Sequence, residues 1–416
     1  MFKQRLSSIR QPYFWWVAAL LMVMAVVLTA AIIIFTRGLV VTNLTDLVPW
    51  GLWIGIDLSS IALSGGAFLL SAAVYILGIK KLQPVARTAV FIGLVGYSMA
   101  VLTLMLDIGR PDRFWHSLLY WNIHSPLWEV TMCVTLYLTV LALEVTPIVG
   151  QSDWFQSRWP GLGNQLSSVH KIAPVLAIAG LCLSMLHQSS LGATYGVLKA
   201  RPIWYRPSLA VLFIVSAMAA GPALVVLVST IAGKVTSRAR VDPSLLDTVA
   251  RFVGWALVAY LYLRFWDALS MSYTYEPGRS EGLTYLTKGP FALNFWVGEI
   301  ALGIVIPMVI LLNSKWRQNS RLLIMALAFV VMGLVFYRWD TNMVGQLVVF
   351  NQIPQLLAPQ YTHYRPSLIE IAAGAGVVAY VLLAVTIGIR HLNIIDHTLV
   401  EEHVEQAMPR TAVSTD

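Results

Sequence analysis

Charge is scarce in this chain. Only 12% of its 416 residues are Asp, Glu, Lys or Arg, about half the ~25% of an average soluble domain, which excludes a water-soluble globule as its main body. Cysteine is scarcer still. Cys133 and Cys182 are the whole complement, and both fall in apolar stretches. Two thiols cannot hold an iron–sulfur cluster, and no Cys/His spacing suggests a zinc site or any other metal centre. The net charge of +8 is spread over loops rather than gathered in a stripe, so it is no nucleic-acid footprint. A cleavable leader is not expected either: Met1–Gln11 is basic and short, but the apolar run after it is too long for a signal h-region and lacks a small-residue cleavage site.

What the chain has in abundance is long apolar runs. Hydrophobic residues make up 58% of it, and about 20 apolar residues suffice to cross a bilayer as a helix. Ten spans are predicted: Tyr13–Thr36, Pro49–Gly78, Thr88–Leu106, Pro126–Val149, Lys171–Ser190, Ser208–Ile231, Val249–Ala268, Phe291–Asn313, Leu322–Trp339 and Ser367–Ile389. These are too long for barrel strands. The expected fold is therefore an all-α integral membrane protein of about ten transmembrane helices, with a polytopic domain over 1–390 and a polar C-terminal tail over 391–416. Most of the Lys and Arg fall on the side of the N-terminus, and the positive-inside rule then places both termini in the cytoplasm. The outer connections are rich in Trp, Tyr, Arg and Pro, which suits docking of another subunit or a cover over a cavity.

Ionisable residues inside spans are costly, so each marks a candidate site. Spans two to five hold most of them and are expected to form a four-helix bundle around the site. Asp57 follows the Pro49-Trp50-Gly51 start of span two and needs either a structural partner on a neighbouring helix or a role as proton acceptor or ligand. Gly51 and Gly55 form a GxxxG spacing that permits close helix approach. Span three ends in Asp107-Ile108-Gly109-Arg110-Pro111-Asp112-Arg113, a membrane-mouth run readable as an amphipathic entrance or as a salt-bridged cap. Glu129 and Glu144 on span four are candidate stations of a proton path, although fifteen residues apart they stand near 60° off one face. His187 and Gln188 lie with two serines at the outer end of span five, where an imidazole can donate to or accept from a carbonyl. Glu299 is a further proton-path candidate. Arg264–Asp267 and Arg338–Asp340 are read as local ion pairs. With His187 the single histidine convincingly within a span, a b-type haem is not expected.

Four segments then carry a resemblance: Pro49–Leu58 (PWGLWIGIDL), Leu106–His116 (LDIGRPDRFWH), Ser125–Glu144 (SPLWEVTMCVTLYLTVLALE) and Leu186–Thr194 (LHQSSLGAT). In this order they resemble the membrane subunits of the NrfD/PsrC (polysulfide reductase) family, and most closely its ten-helix branch, typified by the membrane subunit of nickel–iron hydrogenase 2. The resemblance implies a subunit of a respiratory complex in the bacterial cytoplasmic (inner) membrane. Such a subunit binds a quinone (menaquinone or ubiquinone) as substrate and carries no haem or iron–sulfur cluster itself. It sits beneath a ferredoxin-like iron–sulfur subunit at the outer face, which connects it to a catalytic hydrogenase, molybdoenzyme or multihaem subunit. It places the quinone head near the outer face among spans two to five, close to Asp57, Glu129, His187 and Gln188, with Trp53, Asp107, Arg110 and Arg113 at its edge. His124, a further candidate for the quinone pocket, stands where the hydrogenase relative has Asn. A carboxylate chain through Asp57, Glu129, Glu144 and Glu299 would make the reaction electrogenic. An ion or small-molecule transporter and a purely structural membrane anchor are the alternatives. The first should show inverted repeats and broken helices, which the sequence lacks; the second would not need Asp57 or His187 within the bilayer.

Overall fold

The chain is described here by a computed structural model covering residues 12–235, 241–273, 275–350, 358–392 and 394; apart from residues 391, 392 and 394, the C-terminal tail expected to be polar lies outside the described residues. Ten helices are long and apolar enough to cross a membrane. We label them α1 (Pro12–Arg37), α2 (Leu52–Tyr75), α3 (Gln83–Asp107), α4 (Pro126–Gly150), α5 (Ala173–Gly196), α6 (Ser208–Val235), α7 (Pro243–Ser272), α8 (Asn294–Leu312), α9 (Ser320–Leu347) and α10 (Leu368–His391). One end of the molecule carries Lys80, Lys81 and Lys171 and is called the basic end. The opposite, loop-rich end carries the connections after α3, α5, α7 and α9, including a two-stranded antiparallel ribbon of β1 (Val348–Phe350) and β2 (Pro359–Tyr361) with Val349 opposite Gln360.

Helix is the expected outcome, because hydrocarbon offers no partners to a free backbone N–H or C=O. Local chemistry sets the ends. Ser125 caps α4 by accepting the Trp128 N–H at 3.4 Å, with Pro126 in the first turn. Gly109, at φ 67°, lets the chain leave α3 in a conformation that a side chain would strain. Several helices run further than the apolar pattern predicts, and at the loop-rich end two do so furthest: α5 continues past Ser190 to Gly196, and α9 past Trp339 to Leu347. The pattern ends where polar residues begin, but these polar side chains are satisfied inside the protein. Thr194 bonds the Ser190 carbonyl at 2.9 Å, and Gln346 bonds the Asn342 carbonyl at 2.9 Å. The helix has no reason to stop there. The first twelve residues of α8, Asn294–Val305, wind as a π-helix, a wide turn that often accompanies a functional side chain.

Helix α2 is the axis of the molecule. In its most apolar window 78% of residues are buried, against 17% for α1 at the periphery. Helices α2, α3, α4 and α5 pack in a closed ring, α2 on α3, α3 on α4, α4 on α5 and α5 on α2; this is the four-helix bundle expected from spans two to five. In lipid such packing relies on close backbone approach rather than on the hydrophobic effect. At the contact of α2 with α6 a Cβ on Gly66 would run into the Ala217 carbonyl, and one on Gly221 into the backbone of Gly66. Gly51 and Gly55, by contrast, make room for side chains, Tyr364 and Trp339 respectively. Helices α6 to α9 form a second group beyond α6, while α10 leans on α2 and α3 and carries α1 on its far side.

Candidate functional site

The start of α2 is gripped at the loop-rich end, which fixes where its functional residues point. Gln346 accepts the Trp50 N–H at 2.9 Å and donates to the Trp50 carbonyl at 2.8 Å, and Asn342 donates to the same carbonyl at 2.9 Å. From the other side the Leu52 N–H reaches the Tyr364 hydroxyl at 2.9 Å, and that hydroxyl donates to Glu370. Glu370 also accepts the N–H groups of Asn43 at 3.0 Å and Ser367 at 2.8 Å. Burial together with the Glu370 carboxylate pushes the Tyr364 phenol above its ordinary range, so it remains a donor at any physiological pH. Trp53 belongs to this frame: its indole N–H donates to the Glu370 carbonyl at 3.0 Å.

Below the frame lies a polar interior enclosed by α2, α3, α4 and α5. The His187 ring on α5 is wholly buried and its Nδ1 pairs with the Tyr97 hydroxyl of α3 at 2.8 Å, while its Nε2 has no partner. Asp57 on α2 is 3% exposed and its Oδ1 is unpartnered, as is the buried Oδ1 of Asp107 at the end of α3. Left dry, each such atom would cost on the order of 1–3 kcal/mol, so these two carboxylate oxygens and the imidazole nitrogen are available to a ligand or to water. Below Tyr97, the Tyr137 ring of α4 stands edge-on at 4.5 Å. Seven residues further down α4, on the same face, Glu144 has a buried, unpartnered Oε1 and lines a small cavity at the basic end with Arg87 and His170. A column of ionisable and hydroxyl groups thus runs through the bundle from Asp57 and His187 towards the basic end.

Other predicted residues stand elsewhere. Arg110 pairs with Asp112 through two 3.0 Å bonds in an exposed loop, with Arg113 at 4.0 Å; the hydrogen bond from Arg110 holds the Asp112 carboxyl below its usual range. His124 is exposed before α4, and Glu129 is half-buried in the first turn of that helix. Gln188 is buried and turned away from the column: it donates to the Ile61 carbonyl at 2.9 Å and accepts from Arg338 at 3.4 Å. Glu299 is clamped by Arg264 at 2.8 and 3.3 Å and by Tyr260 at 3.0 Å, in the second helix group.

Of the two ion pairs read from the sequence, Arg264–Asp267 forms at 2.8 Å. Arg338–Asp340 does not. Two residues apart on a helix, their side chains diverge by about 200°. Arg338 lies over the Phe213 ring at 3.5 Å and bonds the Phe213 carbonyl at 3.0 Å, while Asp340 accepts from Asn294 at 3.2 Å. The sequence reading also passed over Tyr97 and Tyr137. A tyrosine in an apolar run has no distinctive spacing, and only the fold brings Tyr97 to His187.

A second, larger cavity of 580 Å³ lies outside the bundle, on the opposite side of α2, between that helix, α3, α6, α9 and α10, with Asn294 of α8 at its edge. Its walls are apolar, and neither Asp57 nor His187 lines it.

Residues 40–350 match the sequence model of the family described as Polysulphide reductase, NrfD. Among curated relatives, the chain is 33% identical over 376 residues to the integral membrane subunit of a menaquinone reductase from Nitratidesulfovibrio vulgaris, covering 87% of each chain. It is 24% identical to the integral membrane subunit of an Hdr-like menaquinol oxidoreductase from Archaeoglobus fulgidus, over 88% of this chain and 90% of that one. It is 26% identical to a probable Ni/Fe-hydrogenase 2 b-type cytochrome subunit of Escherichia coli, over 87% and 88%.

Proposed function

The chain belongs to the NrfD polysulphide reductase family, and from that premise we propose that it is the quinone/quinol-binding membrane subunit of a respiratory oxidoreductase complex, exchanging electrons between the quinone pool and an adjacent iron–sulfur subunit. The observation that carries this reading is the pair of unpartnered buried atoms, His187 Nε2 and Asp57 Oδ1, in the polar interior of the four-helix bundle. The menaquinone reductase relative supports the choice of ligand.

Converting a quinone to a quinol takes two electrons and two protons, and each carbonyl oxygen needs an acid or base within hydrogen-bond reach. When Tyr97 donates to Nδ1, the neutral His187 ring carries its proton on Nε2 and presents it to one carbonyl oxygen. Asp57, with Asp107 above it, serves the other side of the head as proton donor or acceptor. Glu129 lies in the first turn of α4, at the loop-rich end, and is assigned to the entrance. Protons reach the head from the basic end by way of Glu144, Tyr137 and Tyr97. With electrons arriving at the loop-rich face and protons from the other side, the reaction moves charge across the membrane. Glu299, held by Arg264 and Tyr260, is left out of this path.

Electrons enter or leave through the loop-rich face, where the connection between α3 and α4 exposes Tyr120 and Trp121 at 68% each. A ferredoxin-like subunit docked there, joined to its catalytic partner, supplies the redox centres. We assign no haem to this chain. Among the described residues His187 is the one histidine well inside a long helix, its Nδ1 is taken by Tyr97, and a bis-histidine haem needs a second. The proposed setting is a bacterial cytoplasmic membrane with the basic end inside.

The test is equilibrium binding of a fluorescent quinol-analogue inhibitor to the purified complex. His187→Ala and Asp57→Asn are expected to weaken it by about tenfold or more, the loss of one buried hydrogen bond or its equivalent, with the complex still assembled. Unchanged affinity in both variants would overturn the assignment.

A further inference from the structure

We propose that the apolar cavity outside the bundle is the binding site of one phospholipid of the bilayer, its acyl chain lying along α2 and its phosphate head group over the polar depression at the loop-rich end. This goes beyond the quinone reading and does not depend on it.

The shape comes first. The groove follows α2 from Leu52 to Ser64, twelve residues or about 18 Å at 1.5 Å per residue, close to the ~15 Å of hydrocarbon in one leaflet. Its 580 Å³ corresponds to on the order of twenty water-sized groups, room for a long acyl chain. Gly55 and Gly96 keep its floor low, and Val378 of α10, 41% exposed, stands on its wall.

The chemistry inside disfavours water. Ser59 gives its hydroxyl to the Gly55 carbonyl at 2.8 Å, Ser60 gives its own to the Asp57 carbonyl at 2.9 Å, and Asn294 donates to Asp340 at 3.2 Å. Those groups are engaged within the protein, and apart from Ser64 and the Trp339 indole the remaining lining is hydrocarbon. A water needs two to four polar partners to be held in such a place, so a hydrocarbon chain is the fitting occupant.

The end of the groove selects the kind of lipid. Pro366 closes it at the loop-rich end, and the residues just before Pro366 line a second, polar depression of 540 Å³ together with Thr42, Asn43 and Thr45. Arg365 and His363 are exposed on its rim. The nearest buried carboxylate, Glu370, has its oxygens engaged by Tyr364, Asn43 and Ser367, and exposed Asp46 lies beyond Thr45. A guanidinium beside a polar cup, directly above an acyl-length groove, matches a phosphodiester by charge and by paired hydrogen bonding. A neutral quinone head would not need the arginine, and an apolar helix of another subunit would not need the cup.

The experiment counts phospholipid per chain by native mass spectrometry of the assembled complex in mild detergent, before and after stripping and titration with dioleoylphosphatidylglycerol. Val381→Trp fills the groove from α10, Arg365→Glu reverses the charge at the head group, and Leu382→Trp, one residue on and outside the groove, is the control. One retained phospholipid is expected, held about tenfold less tightly in each of the first two variants, or ~1.4 kcal/mol, and as in the wild type in the control. In the unmodified protein, a phosphatidylglycerol brominated on its acyl chain should quench the part of the fluorescence that Trp339→Phe removes, because Trp339 lines the groove. Equal retention in all variants, absence of Trp339 quenching, or a quinone or protein segment found in the groove would each overturn the proposal.

Discussion

Tyr97→Phe removes one oxygen atom and, on this account, disarms the site. The hydroxyl lies 2.8 Å from His187 Nδ1 in a fully buried environment, and the Phe ring keeps the edge-on contact with Tyr137. The loss therefore falls on one hydrogen bond. Deleting one partner of a buried neutral pair and leaving the other unsatisfied costs about 1–3 kcal/mol. Part of that appears as global destabilisation and part as misorientation of Nε2. If 1–2 kcal/mol reaches the ligand, quinol-analogue affinity falls by roughly 5- to 30-fold. The stronger test is the double-mutant cycle with His187→Ala. If Tyr97 acts only by orienting His187, Tyr97→Phe should cost almost nothing further in the His187→Ala background, giving a coupling energy of about 0.5–3 kcal/mol. Affinity is read by inhibitor fluorescence titration and assembly by size exclusion of the complex. Additive effects, or destabilisation with unchanged affinity, would refute the reasoning and leave the pair a packing element.

Glu299→Leu strips Arg264 of its main partner in the second helix group and should cost about 3–5 kcal/mol, as removal of one member of a buried pair does, seen as a lower thermal unfolding midpoint of the complex; a selective loss of proton uptake at unchanged stability would contradict its structural assignment. Glu144→Gln should abolish charge movement in proteoliposomes, read with a voltage-sensitive dye, while inhibitor binding stays as in the wild type. Gly221→Leu should prevent α6 from docking on α2 and leave no assembled complex in membrane extracts. For the exposed Arg110–Asp112 pair the sign is that of a depressed carboxylate: its contribution is complete above the ordinary Asp value of about 3.9 and is lost as pH falls through the lower folded value. Arg110→Ala should therefore leave the pH profile of quinol oxidation unchanged between about pH 6 and 8.

The family, the ten helices and the bundle of the second to fifth spans were legible because each rests on something periodic or contiguous: twenty apolar residues in a row, or four motifs in fixed order. Asp57 and His187 were legible for a related reason, since an ionisable side chain in such a run stands out against its neighbours. Tyr97 did not, because tyrosine is ordinary in membrane helices and its meaning lies in the 2.8 Å contact made across two helices. The ends of α5 and α9 were misread because polarity alone cannot distinguish a loop from a buried, hydrogen-bonded helix end. Asn342 and Gln346, which hold Trp50 in place, fell into a stretch assigned to a loop for that reason. The Arg338–Asp340 pairing failed on helical geometry, which the spacing of two already contained. The groove beside α2 was beyond reach, since a cavity is made of what neighbouring helices leave out.

The most direct test of the central claim is photolabelling of the assembled complex with a short-chain azidoquinone, followed by peptide mapping. The account predicts label on α2, α3 and α5 around Asp57, Tyr97 and His187, competed by excess quinol analogue and lost in His187→Ala. Competable label confined to the far side of α2, around Trp339 and Val381, would place the head group in the groove and contradict the account.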